Sequence, residues 1–127
     1  MGVVEDHIER ARSGDHEGAF HGLRELDSDA LPALQEAYRC EDDPNVRSVL
    51  VEAIWQHRQP SVIGFLADVL GDPMPVVWKQ ALDGLVTLAS PESLRVLRSA
   101  AVSECDAERR AWIEEAIEQS ADAIELR

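Results

Sequence analysis

Four histidines, two cysteines and a large excess of carboxylates are the side chains of this sequence that could bind a metal, attack a substrate or move a proton. A transition-metal site needs three or four such groups brought together from fixed spacings. The sequence offers one adjacent pair, His16-Glu17, while His7, His21 and His57 are followed by Ile8, Gly22 and Arg58. Cys40 and Cys105 stand outside any Cys-x-x-Cys spacing and have no histidine at a distance that suggests a ligand set or a dyad, so they read as reduced, unpaired thiols. There is no Gly-x-Ser-x-Gly elbow and no glycine-rich phosphate loop. Glu114 and Glu115 are neighbours in sequence, and on a helix such neighbours do not face each other. The expectation is therefore a protein with no catalytic residues, no metal and no cofactor.

The elements that carry these residues repeat. Val77-Trp78-Lys79-Gln80-Ala81-Leu82-Asp83-Gly84-Leu85 and, at a shift of 31 towards the N-terminus, Val46-Arg47-Ser48-Val49-Leu50-Val51-Glu52-Ala53-Ile54 share one apolar stripe of helical period. The same shift applied again brings Ala19, Gly22 and Leu23 to the same places, and a forward shift of 32 brings Ile113, Ala116 and Ile117. The intervening segments keep step. Pro60-Ser61-Val62-Ile63 matches Pro91-Glu92-Ser93-Leu94 at a shift of 31.

Turns punctuate the pattern at Ser13-Gly14-Asp15, Glu41-Asp42-Asp43-Pro44, Gly71-Asp72-Pro73 and Glu104-Cys105-Asp106. Asp and Ser cap helix N-termini and Pro suits a first turn, so each cluster closes one helix and opens the next, and Pro60 and Pro91 are expected to open helices too. The spacing predicts an all-α chain of about eight helices, near residues 2–12, 16–26, 29–40, 45–58, 60–70, 75–88, 91–102 and 107–120. They pair into four repeats, 2–26, 29–58, 60–88 and 91–120, in one domain over residues 1–127. A single helix pair cannot bury its stripe alone, but stacked pairs share a continuous core. The expected core is Leu23, Leu34, Val46, Leu50, Ile54, Leu66, Val77, Ala81, Leu85, Leu97, Ile113 and Ile117.

The run Asp43-Pro44-Asn45-Val46-Arg47, followed by Leu50, Ala53 and Ile54, resembles the Asp-Pro-x-Val-Arg helix of HEAT repeats, in the flavour of the short repeats of phycobilisome lyases. The resemblance implies an α-solenoid of about four HEAT-like helix pairs whose second helices line a concave face. It also implies that Asp43, Arg47, Asp106 and Arg110 join neighbouring repeats; Trp78 stands where the third repeat would have its arginine. Some proteins of this fold are lyases or di-iron hydroxylases, which makes an enzyme or enzyme subunit on this scaffold the alternative function.

Charge narrows the partners. Twenty-five acidic residues against 12 basic ones leave a formal charge of −13, which argues against nucleic acid and anionic membrane surfaces and admits a basic protein partner. No apolar run reaches the ~18 residues of a membrane span, and acids at Glu5, Asp6, Glu9 and Asp15 suit neither a secretory nor a transit segment, so a cytoplasmic protein is expected. On the helix wheel, Val51, Trp55, Leu82 and Val86 fall away from the stripe at matching places in two consecutive repeats. They are expected to form an exposed apolar strip, flanked by Trp78 and by Glu52 and Asp83, that binds the partner. Trp112 is expected to pack. The reading is a protein-binding module, an adaptor or an inhibitor.

Overall fold

Helix follows helix along the chain, several of them opened by a capping side chain or a first-turn proline. The computed structural model describes residues 2–125. The described residues form α1 (Val3–Arg12), α2 (His16–Arg24), α3 (Leu31–Cys40), α4 (Pro44–Gln56), α5 (Val62–Val69), α6 (Pro75–Leu88), α7 (Pro91–Ser103) and α8 (Ala107–Glu125), with one 3-10 turn, Ser28–Ala30, leading into α3. Asp15, Asp43 and Ser90 cap α2, α4 and α7 by accepting from the backbone N–H of Gly18, Asn45 and Ser93. Pro44, Pro75 and Pro91 occupy first turns, where no N–H is required.

Two helix starts are built differently from the sequence reading, and α8 runs on to Glu125. Pro60 lies in a turn and α5 starts at Val62. In the third repeat, Met74 and Pro75, not Asp72 and Pro73, hold the cap and first-turn positions of α6. Asp72 is thereby freed for another task described below.

The helices stack as pairs. α4 packs on α3 of its own pair and on α2 and α6 of the pairs before and after, and α6 packs on α4, α5, α7 and α8. All the predicted core residues except Ile117 are buried; Ile117 is half-buried on the last helix. No helix among the described residues is long and apolar enough to cross a membrane.

The contact between α4 and α6 is close because one residue has no side chain. A Cβ on Gly84 would sit 2.7 Å from the Trp55 indole and 3.0 Å from Leu66, so glycine makes the room that Trp55 fills.

The turns that follow α4 and α6 share a less comfortable feature. Arg58 and Ala89, at equivalent places of consecutive repeats, both take left-handed backbone angles, with φ of 56° and 47°. That conformation costs an L-residue about 1–2 kcal/mol and costs glycine none. Arg58 is exposed, and beyond its approach to the Trp55 ring it has little packing to lose. Arg58→Gly is therefore expected to stabilise the protein by ~0.5–1 kcal/mol, the strain relief exceeding glycine's extra freedom in the unfolded chain. Chemical denaturation checks this through a higher midpoint at unchanged slope.

The outward side of the last pair differs chemically from the inner seams. Val51 and Leu82 are buried at one repeat position, whereas the matching residue of α8 is the exposed Glu114. Trp55 and Val86 are likewise followed by the exposed Glu118.

Candidate partner-binding face

The even-numbered helices decide which side chains a partner could touch, and they expose less than the helix wheel suggests. Val51 is 0%, Trp55 5%, Trp78 2% and Leu82 4% exposed, and Val86 is half-buried. The expected apolar strip is thus the seam between α4 and α6 and the next helices, not a surface. The reason is geometric. Each residue advances about 100° round a helix. Val51 is one step from Leu50, and an inner helix with neighbours on both flanks buries that step too. The Trp55 indole N–H donates to Oε1 of Gln80 at 2.9 Å, which satisfies its polar edge inside the seam.

What remains at the surface is a narrow polar row, two steps from the core. It comprises Glu52 on α4 and Asp83 on α6, with His21 on α2 and Glu115 on α8 at the matching repeat positions. Ser48 and Gln56 flank Glu52, and Lys79 and Thr87 flank Asp83. The two flanking acids of the sequence reading are therefore central to the accessible face, while the apolar residues between them are not.

Burial, and then the charge of Asp83, push the Glu52 carboxyl above its usual pKa, partly opposed by His21. Burial alone pushes Asp83 up. A raised folded-state pKa means that the ionised carboxylate is less at ease in the folded protein than in the unfolded chain. Both acids consequently detract from stability at neutral pH, and the deficit shrinks as the pH falls through their folded pKa values towards the ordinary carboxylate range.

At the α8 end of this row lies a slot of about 150 Å³ lined by Lys79, Asp83, Trp112, Glu115 and Gln119 and by the apolar Leu82, Val86 and Ala116. Trp112, expected to be packed, is 43% exposed. Its ring meets Trp78 edge to face at 6.3 Å, and the Lys79 ammonium lies 4.3 Å from its centroid. The remaining chemical candidates are dispersed. His16 is exposed, His21 lies 3.8 Å from Glu17, and His57 faces Ser28 Oγ and the Leu23 carbonyl at 3.4 Å each. Cys40 and Cys105 are exposed free thiols.

A family model described as HEAT repeats matches residues 31–118, well over half of the chain. The chain belongs to the HEAT-repeat family. No curated protein and no solved structure matches it. Repeats of this family commonly mediate interactions between proteins.

The HEAT resemblance assigned the joining of repeats to Asp43, Arg47, Asp106 and Arg110, and only Arg47 does so. Its guanidinium forks onto Asp72 of the next turn, Nε to Oδ2 and Nη2 to Oδ1 at 3.2 Å each, and Nη1 donates to the carbonyls of Glu41 and Asp42. Asp43 and Asp106 accept from backbone N–H groups at the start of their own helices, and Arg110 donates to the Glu104 carbonyl of its own turn.

An acid recurs at one turn position, Glu41, Asp72 and Glu104, two residues before Asp43, Met74 and Asp106, and at the first two of these places it receives the bridge. Each also accepts the N–H two residues on, from Asp43, Met74 and Asp106. Arg12 of the first repeat donates to Glu41 at 2.7 and 3.1 Å. The signal was present in the sequence as an acid recurring at shifts of 31 and 32. Burial works against the Asp72 carboxylate, but bonds from Tyr38 Oη, the Met74 N–H and Arg47 outweigh it and hold its pKa below the ordinary range.

Trp78 breaks the series, and Arg109 repairs it. With no arginine at position 78, α6 sends no bridge to Glu104; Arg109 Nε lies 3.5 Å from Glu104 within its own turn and makes no hydrogen bond, and it is Arg109 Nη1, donating to the Leu70 carbonyl at 2.9 Å, that crosses the junction. The same guanidinium lies 5.2 Å from the Trp78 ring centroid. The tryptophan is thus clamped in the seam.

Proposed function

We propose that this HEAT-repeat protein is a binding module for a basic protein segment, an adaptor or inhibitor, and that the segment lies along the exposed face of α2, α4, α6 and α8. One observation carries the reading: Glu52 and Asp83 are held at matching positions of consecutive repeats although folding disfavours their ionised forms. No side chain of the described residues forms an ion pair with either carboxylate, which leaves both open to a partner's cations. A partner's cations would supply the compensation that the chain itself lacks. The chain's charge of −13 adds long-range attraction to such a partner. The family's common use as a protein-binding scaffold supports the same reading.

The double variant Glu52→Gln/Asp83→Asn is expected to be at least as stable as the parent at neutral pH. It should bind the partner about ten-fold more weakly at low salt, with the difference narrowing as salt rises. The partner is first recovered by affinity capture from the source cells, and then both proteins are titrated against it by calorimetry. A partner that binds parent and double variant equally would sink the proposal, as would one with no basic segment.

A further inference from the structure

The only lysine of the chain, Lys79, stands on the carboxylate row one helical turn from Asp83, yet no carboxylate of the described residues lies within ion-pairing distance of it. Its ammonium instead lies over two indoles, 4.3 Å from the Trp112 centroid and 5.6 Å from that of Trp78. In a protein with 25 acidic residues, the ring face of Trp112 thus holds a cation that the acids do not. A cation within about 6 Å of an indole face is drawn to its quadrupole. Trp112 is also, among the described residues, the largest aromatic surface left in water, at 43% exposure.

The slot beside this ring is built for a long cationic side chain. Leu82, Val86 and Ala116 offer apolar surface for a hydrocarbon stem, and Asp83 and Glu115 are the carboxylates of the lining. Its volume of about 150 Å³ suits one side chain and falls below the ~300–1,000 Å³ of small-molecule pockets. A guanidinium fits this combination better than an ammonium, because its plane stacks on an indole while its edge donates two parallel bonds to a carboxylate.

We propose that the slot between α6 and α8 receives one arginine side chain of the partner, stacked on Trp112 and bonded to Asp83 or Glu115, in the place that Lys79 covers in the free protein. This rests on the reading of the face as a site for a basic segment and names the contact that selects it. Lys79 is then an internal competitor, and its removal strengthens binding.

The test uses the whole chain, labelled with nitrogen-15, and the blocked tetrapeptide Ac-Ala-Arg-Ala-Ala-NH2 as probe. The Trp112 indole N–H resonance, assigned with Trp112→Phe, is expected to move on titration, while that of Trp55, bonded to Gln80 in the seam, stays in place. The same peptide with citrulline, which keeps the shape and loses the charge, is expected to bind more weakly by about two- to five-fold or more, the scale of an exposed cation–π contact. Lys79→Met is expected to tighten the arginine peptide by a similar factor. Arg98→Met, which removes an exposed charge from α7, leaves it nearly unchanged. Equal binding of arginine and citrulline peptides, or equal effects of Lys79→Met and Arg98→Met, would overturn the inference. If the captured partner is lost by Glu52→Gln/Asp83→Asn while the arginine peptide leaves Trp112 unmoved, the slot fails and the binding face stands. A moved Trp112 with a partner indifferent to that double variant shows that the slot takes arginine but removes the partner's segment from the face, and the proposal then falls with that reading.

Discussion

Trp55→Ala is expected to cost about 3–5 kcal/mol of folding stability, the range for removing a buried aromatic side chain from a packed site. A domain of ordinary stability has only ~5–15 kcal/mol in total, so the variant should approach the edge of folding. The loss has two parts. The indole leaves a void over Gly84, which has no Cβ to fill it, and Gln80 loses the N–H that it accepts at 2.9 Å. Trp55→Phe keeps most of the volume and should recover much of the loss, short of the hydrogen bond. Urea unfolding of the three proteins, followed by far-ultraviolet circular dichroism, gives the comparison. A near-neutral Trp55→Ala would mean that the α4–α6 seam is looser than described and that the indole belongs to the surface.

Arg47→Met is expected to be nearly as damaging, at about 3–5 kcal/mol, because it leaves the buried Asp72 carboxylate without its counter-charge. The guanidinium makes four bonds, two across the repeat junction to Asp72 and two to the carbonyls of Glu41 and Asp42 in its own turn. Lysine offers no planar fork, so Arg47→Lys should recover little. The pH response follows from Asp72. Its folded pKa lies below the unfolded value, so its contribution is complete above the ordinary carboxylate range and is lost as pH falls through the lowered value. Wild type should therefore lose stability on acidification more steeply than Asp72→Asn, and acid titrations of both by circular dichroism give the difference.

The helices, their pairing and the core stripe were legible because caps, prolines and a regular repeat spacing all pointed the same way. The exposed side of α4 and α6 was read one helical step short of where it lies. Val51, Trp55 and Leu82 lie off the stripe of a single helix, and only the presence of helices on both flanks turns them inward. Sequence periodicity reports one helix's preferred side and not how many neighbours it will have. Trp112 was misjudged in the opposite direction, since α8 has a preceding helix but, among the described residues, none beyond it. The junction acids escaped for a different reason. The family motif directs attention to the helix-capping Asp43, whereas the bridge falls on Glu41 and Asp72, whose role depends on the path of the turn.

Glu114 and Glu118 on the outer side of α8 also bear on how copies of the protein behave towards one another. Seams such as the one closed by Val51 and Trp55 join unlike surfaces, the back of one pair against the front of the next. Repeated between molecules, a contact of that kind does not close on itself and grows into a filament. Two exposed carboxylates at the growing point deprive an incoming copy of the apolar footing that the inner seams use. A copy docking in that way on this side of α8 would bury two unpaired carboxylates where the inner seams bury Val51 and Trp55.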